Sequence, residues 1–206
     1  MMKIAVIGTG NVGGALAKGW AKAGHEVLLG VRDVNDEKVK QLASFHENIS
    51  IHLVQEAAQV ADTILIAAVP QATKNIAEAM GNIEGKVVID AMNSIGKKPE
   101  PYSNTFDALK AWTNSYDVVK CFNTTGFENM FDPSYHGQGI DMFVAGSSEK
   151  GKAIAIQLAK DLGFENCYDF GGDDKAPLLE QFALCWINLA IMQGQGREMA
   201  FKVLKR

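Results

Sequence analysis

The chain has 206 residues, of which 47% are hydrophobic, and this is enough to bury the core of one generous domain. Its formal net charge of -4 at pH 7 argues against a basic surface for nucleic acid. A cytoplasmic protein without membrane contacts is expected, because the N-terminus carries no charged leader before a long apolar segment and no apolar run reaches bilayer length.

Short apolar runs alternate with helical patterns along the chain. Runs rich in β-branched residues predict buried parallel strands at residues 4–7, 26–29, 63–68, 86–89, 117–121 and 142–145. Helical patterns occupy residues 11–23, 36–45, 71–80, 105–113, 149–162 and, loosened near two glycines, 177–205. This order predicts an α/β, doubly wound, mostly parallel Rossmann-type sheet with a long C-terminal helix. We expect one domain over residues 1–206, with 177–206 as its helical extension.

A glycine-rich turn joins the first predicted strand to the first predicted helix, which is the context that a dinucleotide-binding fingerprint requires. Gly8 permits the tight turn, Gly10 lets a pyrophosphate approach the backbone, and Gly13 lets the helix pack against the strand. Free amides at the start of the helix, together with its dipole, would bind the anion. The predicted dinucleotide site at this turn comprises Gly8, Thr9, Gly10, Asn11, Val12 and Gly13.

The end of the second predicted strand bears on the choice between NAD and NADP. An acidic residue normally binds the ribose hydroxyls of NAD here, and Val31 stands about where that residue is expected. Arg32 could instead bind the 2'-phosphate of NADP by charge-assisted hydrogen bonds. A shift of one residue would make Asp33 the acid that binds NAD, so the sequence favours NADP and leaves NAD open.

Three later loops follow predicted strands and should converge on the nicotinamide, because ligands of doubly wound sheets bind outside the carboxyl ends of the strands. The residues expected beside the cofactor are Ala68, Val69, Pro70, Met92 and Asn93. The residues expected to line the pocket of the second substrate are Asn123, Thr124 and Thr125. Asn and Thr also satisfy their own backbone in turns, so each of these polar residues has a purely structural alternative.

Acid-base groups are scarce in this region. His136 lies in a loop that is expected to be solvated, and Asp90 reads as a capping or turn residue. No catalytic residue is therefore assigned, and this suits hydride exchange between two stacked rings, which depends mainly on positioning. No set of His, Cys, Asp and Glu has metal-ligand spacing, so no metal is expected.

Several segments resemble the coenzyme F420-dependent NADP oxidoreductase family. They are residues 3–13 (KIAVIGTGNVG), 23–27 (AGHEV), 30–32 (GVR) and 119–124 (VKCFNT). The last segment is similar to a KAFNT signature in members of that group and in the cytosolic domains of related metalloreductases. The likeness spans most of the chain and is strongest over its first third.

The resemblance implies an NADP-binding Rossmann domain that exchanges hydride with F420 or another flavin-type partner, with Thr9 and Arg32 contacting the 2'-phosphate. Val31 and Asp33 depart from the family, whose members can carry serine and a second arginine, so weaker selectivity for NADP is expected. Three alternatives stay open. They are an NADPH-dependent reductase of a small carbonyl or imine, a ferric reductase that uses bound flavin, and a non-catalytic NADP(H) redox sensor.

Apolar residues cover more of the terminal helical pattern than one core face needs. They include Leu178, Phe182, Trp186, Leu189 and Met192. Large apolar patches tend to mark interfaces, so a homodimer through the C-terminal helix is expected, with burial inside the monomer as the rival explanation.

Overall fold

The computed structural model describes all residues from 1 to 206, with ten strands and eight α-helices. The strands are β1 (Lys3–Ile7), β2 (Glu26–Val31), β3 (Ile49–Leu53), β4 (Thr63–Ile66), β5 (Val87–Asp90), β6 (Asp117–Cys121), β7 (Ser134–Tyr135), β8 (Gln138–Gly139), β9 (Asp141–Ala145) and β10 (Asn166–Asp169). The helices are α1 (Asn11–Lys22), α2 (Glu37–Ala43), α3 (Val54–Val60), α4 (Thr73–Met80), α5 (Thr105–Trp112), α6 (Phe127–Phe131), α7 (Glu149–Asp161) and α8 (Ala176–Ile187).

Eight strands form one sheet in the order β10-β9-β6-β5-β4-β1-β2-β3. All neighbours are parallel except β6 and β9, which confirms the predicted doubly wound, mostly parallel sheet. The strand order reverses between β1 and β4, and Ile7 at the end of β1 pairs with Gly30 on one side and Ile66 on the other. The crevice that this reversal opens is where such sheets bind ligands.

Both faces of the sheet are covered by helices. Ile4 and Val6 of β1 belong to one apolar cluster, while Ala5 and Ile7 belong to another. Successive side chains of a strand point to opposite faces, so a strand buried on both faces must be apolar throughout. This explains why the central strands are visible in the sequence as continuous apolar runs.

Two edge strands were not predicted from the sequence. In β3, Ser50 and His52 interrupt the apolar pattern, and their side chains bond to each other at 2.8 Å between Oγ and Nε2. In β10, the residues are Asn-Cys-Tyr-Asp, and none of them is fully buried. Edge strands have only one neighbour and fewer apolar contacts, so their sequences carry a weaker strand signal.

The C-terminal helix is shorter than the sequence pattern predicts. It ends at Ile187, one π-helical turn continues through Asn188–Met192, and residues 193–206 contain no regular helix. Gly194 and Gly196 adopt left-handed backbone angles, with φ of 68° and 87°, which end helical winding. The tail then folds back, where Trp186 Nε1 donates to the carbonyl of Met199 at 2.7 Å.

No helix of the protein combines the length and the apolar composition that a bilayer crossing requires.

Candidate functional site

In the glycine turn between β1 and α1, the fold requires glycine at positions 8 and 13 but not at position 10. A Cβ on Gly8, which has φ of +103°, would lie 2.3 Å from the carbonyl oxygen of Ala67. A Cβ on Gly13 would lie 1.9 Å from the carbonyl oxygen of Gly8. A Cβ on Gly10 would meet no protein atom within 4 Å. The open space at Gly10 is therefore available to a ligand that approaches the backbone.

Helix α1 begins at this turn without a side-chain cap. Its first intrahelical bond runs from the amide of Gly14 to the carbonyl of Gly10 at 2.7 Å, so the amides of residues 11–13 have no intrahelical acceptor. Unpaired amides and the positive end of the helix dipole favour an anion at this position. The turn and the helix together form a site suited to a pyrophosphate.

A cavity of about 420 Å³ opens beside the glycine turn, at the carboxyl ends of β1, β2 and β4. Its lining includes Gly8 and Thr9 from the turn, Arg32 after β2, and Ala68 and Val69 after β4. Apolar residues of α3 and α4, among them Val54 and Ile76, complete the lining. A cavity with a polar phosphate end and an apolar slot matches the shape and chemistry of an adenine nucleotide.

Arg32 and Asp33, the two candidates for binding the ribose end of the cofactor, differ in their bonds to the rest of the protein. The Oδ1 atom of Asp33 accepts a hydrogen bond from the amide of Asn35 at 2.9 Å, which fixes this carboxylate in the turn before α2. Asp36, also in the lining, caps α2 by accepting from the amide of Lys38 at 2.8 Å. Arg32 is exposed and forms no ion pair within the protein. A 2'-phosphate at this end of the cavity would therefore find an unpaired guanidinium.

The structure brings together the second and third predicted loops through an asparagine pair. Asn93 Nδ2 donates to the backbone carbonyl of Asn123, and Asn123 Nδ2 donates to Asn93 Oδ1, both at 2.9 Å. Asn123 Nδ2 also lies 3.2 Å from the carbonyl oxygen of Leu179 in α8. Asn123 is only 4% exposed, and its Oδ1 is a buried acceptor without any partner in the protein. An unpaired buried acceptor is costly, and an N–H donor that reached this atom would remove that cost.

The other residues of these loops have different surroundings. Val69 projects into solvent with 60% of its surface exposed, whereas Pro70 and Met92 are buried. Thr124 is buried with its hydroxyl near the Met142 sulfur, and Thr125 accepts a bond from Asn129 Nδ2 at 2.7 Å. The hydroxyl of Thr124 is therefore engaged inside the protein, whereas the half-buried Thr125 keeps its O–H as a donor and Asn123 keeps its Oδ1 as an acceptor.

Phe122, directly before Asn123, adopts a left-handed backbone with φ of 59°. Such a conformation is rare for a bulky residue and persists only when its surroundings enforce it. Its ring is fully buried and packs edge-on against Trp20 of α1, with 5.5 Å between ring centroids. The strained turn redirects the chain as it leaves β6 and presents Asn123 to Asn93.

A buried ionic cluster below these loops was missed in the sequence analysis. Lys120, the last residue but one of β6, is fully buried, and its Nζ donates to Asp90 Oδ2 at 2.9 Å and to Glu180 Oε1 at 2.6 Å. It also lies 3.2 Å from the hydroxyl oxygen of Thr105. The available signal was a lysine inside an apolar strand and a glutamate on the buried side of an apolar helix.

Of the candidate proton donors, His136 and Tyr135 belong to the β7–β8 hairpin, and Asp90 belongs to the buried ionic cluster. His136 is exposed at the tip of the β7–β8 hairpin, where its φ is 52°. The hydroxyl of Tyr135 donates to Asn129 Oδ1 at 2.6 Å, and burial raises the pKa of Tyr135. Asp90 accepts from Met92, Thr105 and Lys120, so its carboxylate serves the fold.

Comparison with known proteins gives matches along the chain. Residues 3–94 match the family described as NADP oxidoreductase, coenzyme F420-dependent. The F420-dependent NADP reductase of Methanothermobacter thermautotrophicus is 28% identical over 211 residues, covering 93% of this chain and 90% of the relative. The relative from Methanothermobacter marburgensis, of the same name, is 27% identical and covers 92% and 93%.

Solved structures extend the likeness. A candidate F420-dependent NADP reductase from Arthrobacter sp. FB24 superposes with a TM-score of 0.85 at 27% identity, covering all of both chains. A reductive aminase from Aspergillus terreus, solved with NADPH, shares the fold with a TM-score of 0.68 at 15% identity, over 94% of this chain and 63% of the aminase.

Proposed function

Because residues 3–94 match the model of the coenzyme F420-dependent NADP oxidoreductase family, we propose that this chain transfers hydride between NADP(H) and a deazaflavin of the F420 type. The chain is an NADP-dependent oxidoreductase, in keeping with the names of its relatives. The observation that carries the proposal is the glycine turn together with the cavity beside it. The turn offers open space at Gly10 and unpaired amides of α1, and the cavity lining offers the unpaired Arg32.

In the proposed complex, residues 1–206 act as one dinucleotide-binding domain. The pyrophosphate lies against the amides at the start of α1, and Thr9 and Arg32 bind the 2'-phosphate. The nicotinamide extends past Val69 toward Met92 and the Asn93–Asn123 pair. The full set of proposed cofactor contacts is Gly8, Thr9, Gly10, Asn11, Val12, Gly13, Arg32, Ala68, Val69, Pro70, Met92 and Asn93.

The second ring is proposed to enter beside Asn123, Thr124 and Thr125. The reduced nicotinamide supplies the hydride, and the protein contributes the relative position of the two rings. Holding two reactants at contact distance can supply most of a rate acceleration, and direct transfer between rings requires no protein acid. The absence of an unengaged acid near the Asn93–Asn123 pair is compatible with this chemistry.

The proposal is tested by following NADPH oxidation with F420, FMN, FAD, ferric citrate with flavin, and simple ketones or imines as acceptors. Turnover of F420 supports the proposal, and a flavin is the next acceptor expected. Turnover of ketones or imines alone would favour the small-molecule reductase, and ferric reduction that depends on flavin would favour the ferric reductase. Tight NADPH binding without any turnover would favour the redox sensor.

Arg32→Ala is expected to weaken NADPH binding by about 2 kcal/mol, because hydrogen bonds to charged groups contribute in this range, while NADH binding changes little. Calorimetric titration of both cofactors measures the difference. Lys38→Ala removes a nearby exposed cation of α2 outside the cavity and serves as the matched control. Equal losses for NADPH and NADH in Arg32→Ala would instead assign cofactor choice to Asp33.

We also propose that two copies of the chain associate through the C-terminal helical segment. Ile191 and Met192 are 52% and 64% exposed, and Leu178 and Leu189 add apolar surface to the same segment. An exposed apolar surface of this kind is typical of an interface.

The proposed location remains the cytoplasm, which cell fractionation would test.

The double variant Ile191→Asp and Met192→Asp is expected to convert the dimer to a monomer, because it places two charges inside the proposed interface. Sedimentation velocity measures the change in mass. Val60→Asp, at an exposed apolar residue of α3, should leave the dimer intact. A wild-type chain that sediments as a monomer at micromolar concentration would contradict the dimer.

A further inference from the structure

We propose that Lys120, Asp90 and Glu180 are positioning residues that hold the Asn93–Asn123 pair in the geometry needed to bind the nicotinamide half of NADP(H). This role rests on the proposed function, because it requires the nicotinamide at the carboxyl ends of β5 and β6.

The loop after β5 is fixed on both sides of Asn93 by buried carboxylates. Asp90 Oδ1 accepts a hydrogen bond from the amide of Met92 at 2.9 Å. Glu180 Oε2 accepts from the amide of Ser94 at 3.1 Å. These two bonds fix the backbone on either side of Asn93. The backbone that carries the Asn93 side chain therefore cannot shift without breaking one of them.

Lys120 connects these two carboxylates to the strand that leads to Asn123. One ammonium donates to both Asp90 and Glu180, and it lies on β6 only three residues before Asn123. Leu179, the neighbour of Glu180 in α8, accepts a hydrogen bond from Asn123 Nδ2. Two adjacent residues of α8 thus fix the loop after β5 and the loop after β6 relative to each other.

A contribution to protein stability does not by itself explain the buried cluster of Lys120, Asp90 and Glu180. Lys120 and Asp90 are fully buried and Glu180 is 8% exposed, so one cation and two carboxyl groups have lost almost all contact with water. Desolvating charges is costly, and an apolar cluster of similar volume is often as stable or more stable. An apolar cluster would supply no acceptors for the amides of Met92 and Ser94, so loop geometry is the property that these ionic groups add.

The atom that this geometry presents is Asn123 Oδ1. It is the one buried side-chain oxygen or nitrogen without a hydrogen-bond partner in the structure. The carboxamide of nicotinamide offers N–H donors, and a donor of this kind would satisfy it. Its placement depends on Asn93 and Leu179, which hold the amide nitrogen of the same side chain.

The test compares NADPH with adenosine 2',5'-bisphosphate, which contains the adenine half of the cofactor and lacks the nicotinamide. Both ligands are titrated by calorimetry into the full-length wild type, Glu180→Gln, Thr105→Val and Gln181→Ala. In Glu180→Gln, an NH2 group replaces one of the two carboxylate oxygens. A donor then faces either the backbone amide of Ser94 or the ammonium of Lys120, which are donors themselves. In Thr105→Val, the hydroxyl that bonds Asp90 and Lys120 is removed while every charge remains. Gln181 is the exposed neighbour of Glu180 on α8 and provides the matched control.

Glu180→Gln is expected to weaken NADPH binding about tenfold and Thr105→Val about threefold, in the range for loss of one hydrogen bond. Binding of adenosine 2',5'-bisphosphate should stay at the wild-type value in every variant, and Gln181→Ala should bind both ligands normally. If Glu180→Gln does not fold, Thr105→Val decides by the same comparison. Equal weakening of both ligands would show general loosening and overturn the inference, as would unchanged NADPH binding in a folded variant. Failure of the wild type to bind either ligand would instead overturn the proposed function.

Discussion

Replacing Lys120 with methionine is expected to lower the free energy of unfolding by about 3–5 kcal/mol, because the substitution leaves two carboxylates buried without their cation. Lys120 is fully buried and contacts both Asp90 and Glu180, and no other cation lies within bonding distance of either carboxylate. Methionine fills a similar volume, so the loss comes from charge and hydrogen bonding. Urea denaturation followed by circular dichroism measures it.

Lys110→Met supplies the matched control for this substitution. Lys110 also pairs with an aspartate, Asp173, but its side chain is 41% exposed. Exposed ion pairs contribute under about 1 kcal/mol, so this variant should unfold close to the wild type. A loss of less than 1 kcal/mol in Lys120→Met itself would contradict the assignment of a tightly coupled buried cluster.

Gly10→Val is expected to weaken NADPH binding by about 10²-fold or more, equivalent to about 2.8 kcal/mol at 1.4 kcal/mol per decade. The branched side chain would occupy the open space in which we place the pyrophosphate. It meets no protein atom within 4 Å of its Cβ, and Gly10 already has extended backbone angles, with φ of -74° and ψ of -163°. The free protein should therefore remain folded, with a cost of about 1 kcal/mol for the poorer N-cap residue.

Gly13→Ala provides the contrasting control for Gly10→Val. Its Cβ would lie 1.9 Å from the carbonyl oxygen of Gly8, so this variant should lose stability as well as binding. Calorimetric titration and thermal denaturation of both variants separate the two effects. Undiminished NADPH binding by a folded Gly10→Val protein would remove the dinucleotide from this turn.

The sequence predicts the centre of the fold well because its signals there are local. The first strand, the glycine turn and α1 lie within 20 consecutive residues, and strands buried on both faces must be apolar throughout. The signals fail where structure depends on distant partners. The helical pattern after Ile187 is overridden by glycines and by the tail that returns to Trp186.

The candidate site shows the same division. The phosphate-binding turn is recognisable as a sequence motif, and Arg32 is recognisable because it follows the second predicted strand. The hydrogen bond from the amide of Asn35 to Asp33 Oδ1 is visible only in the three-dimensional structure, as is the lack of an ion pair at Arg32. The cluster of Lys120 with Glu180 joins residues sixty positions apart in sequence, and no local pattern specifies that contact.

Single-turnover transfer of deuterium from NADPH labelled at the nicotinamide C4 to oxidised F420 tests the proposed hydride transfer most directly. Wild-type protein is expected to move the label directly to the deazaflavin. His136→Ala and Tyr135→Phe should do so within about tenfold of the wild-type rate, since a working general acid contributes about 10²–10⁴. Absence of label on F420, with label appearing only on a ketone or imine product, would contradict the account, as would a loss of 10³ or more in either variant.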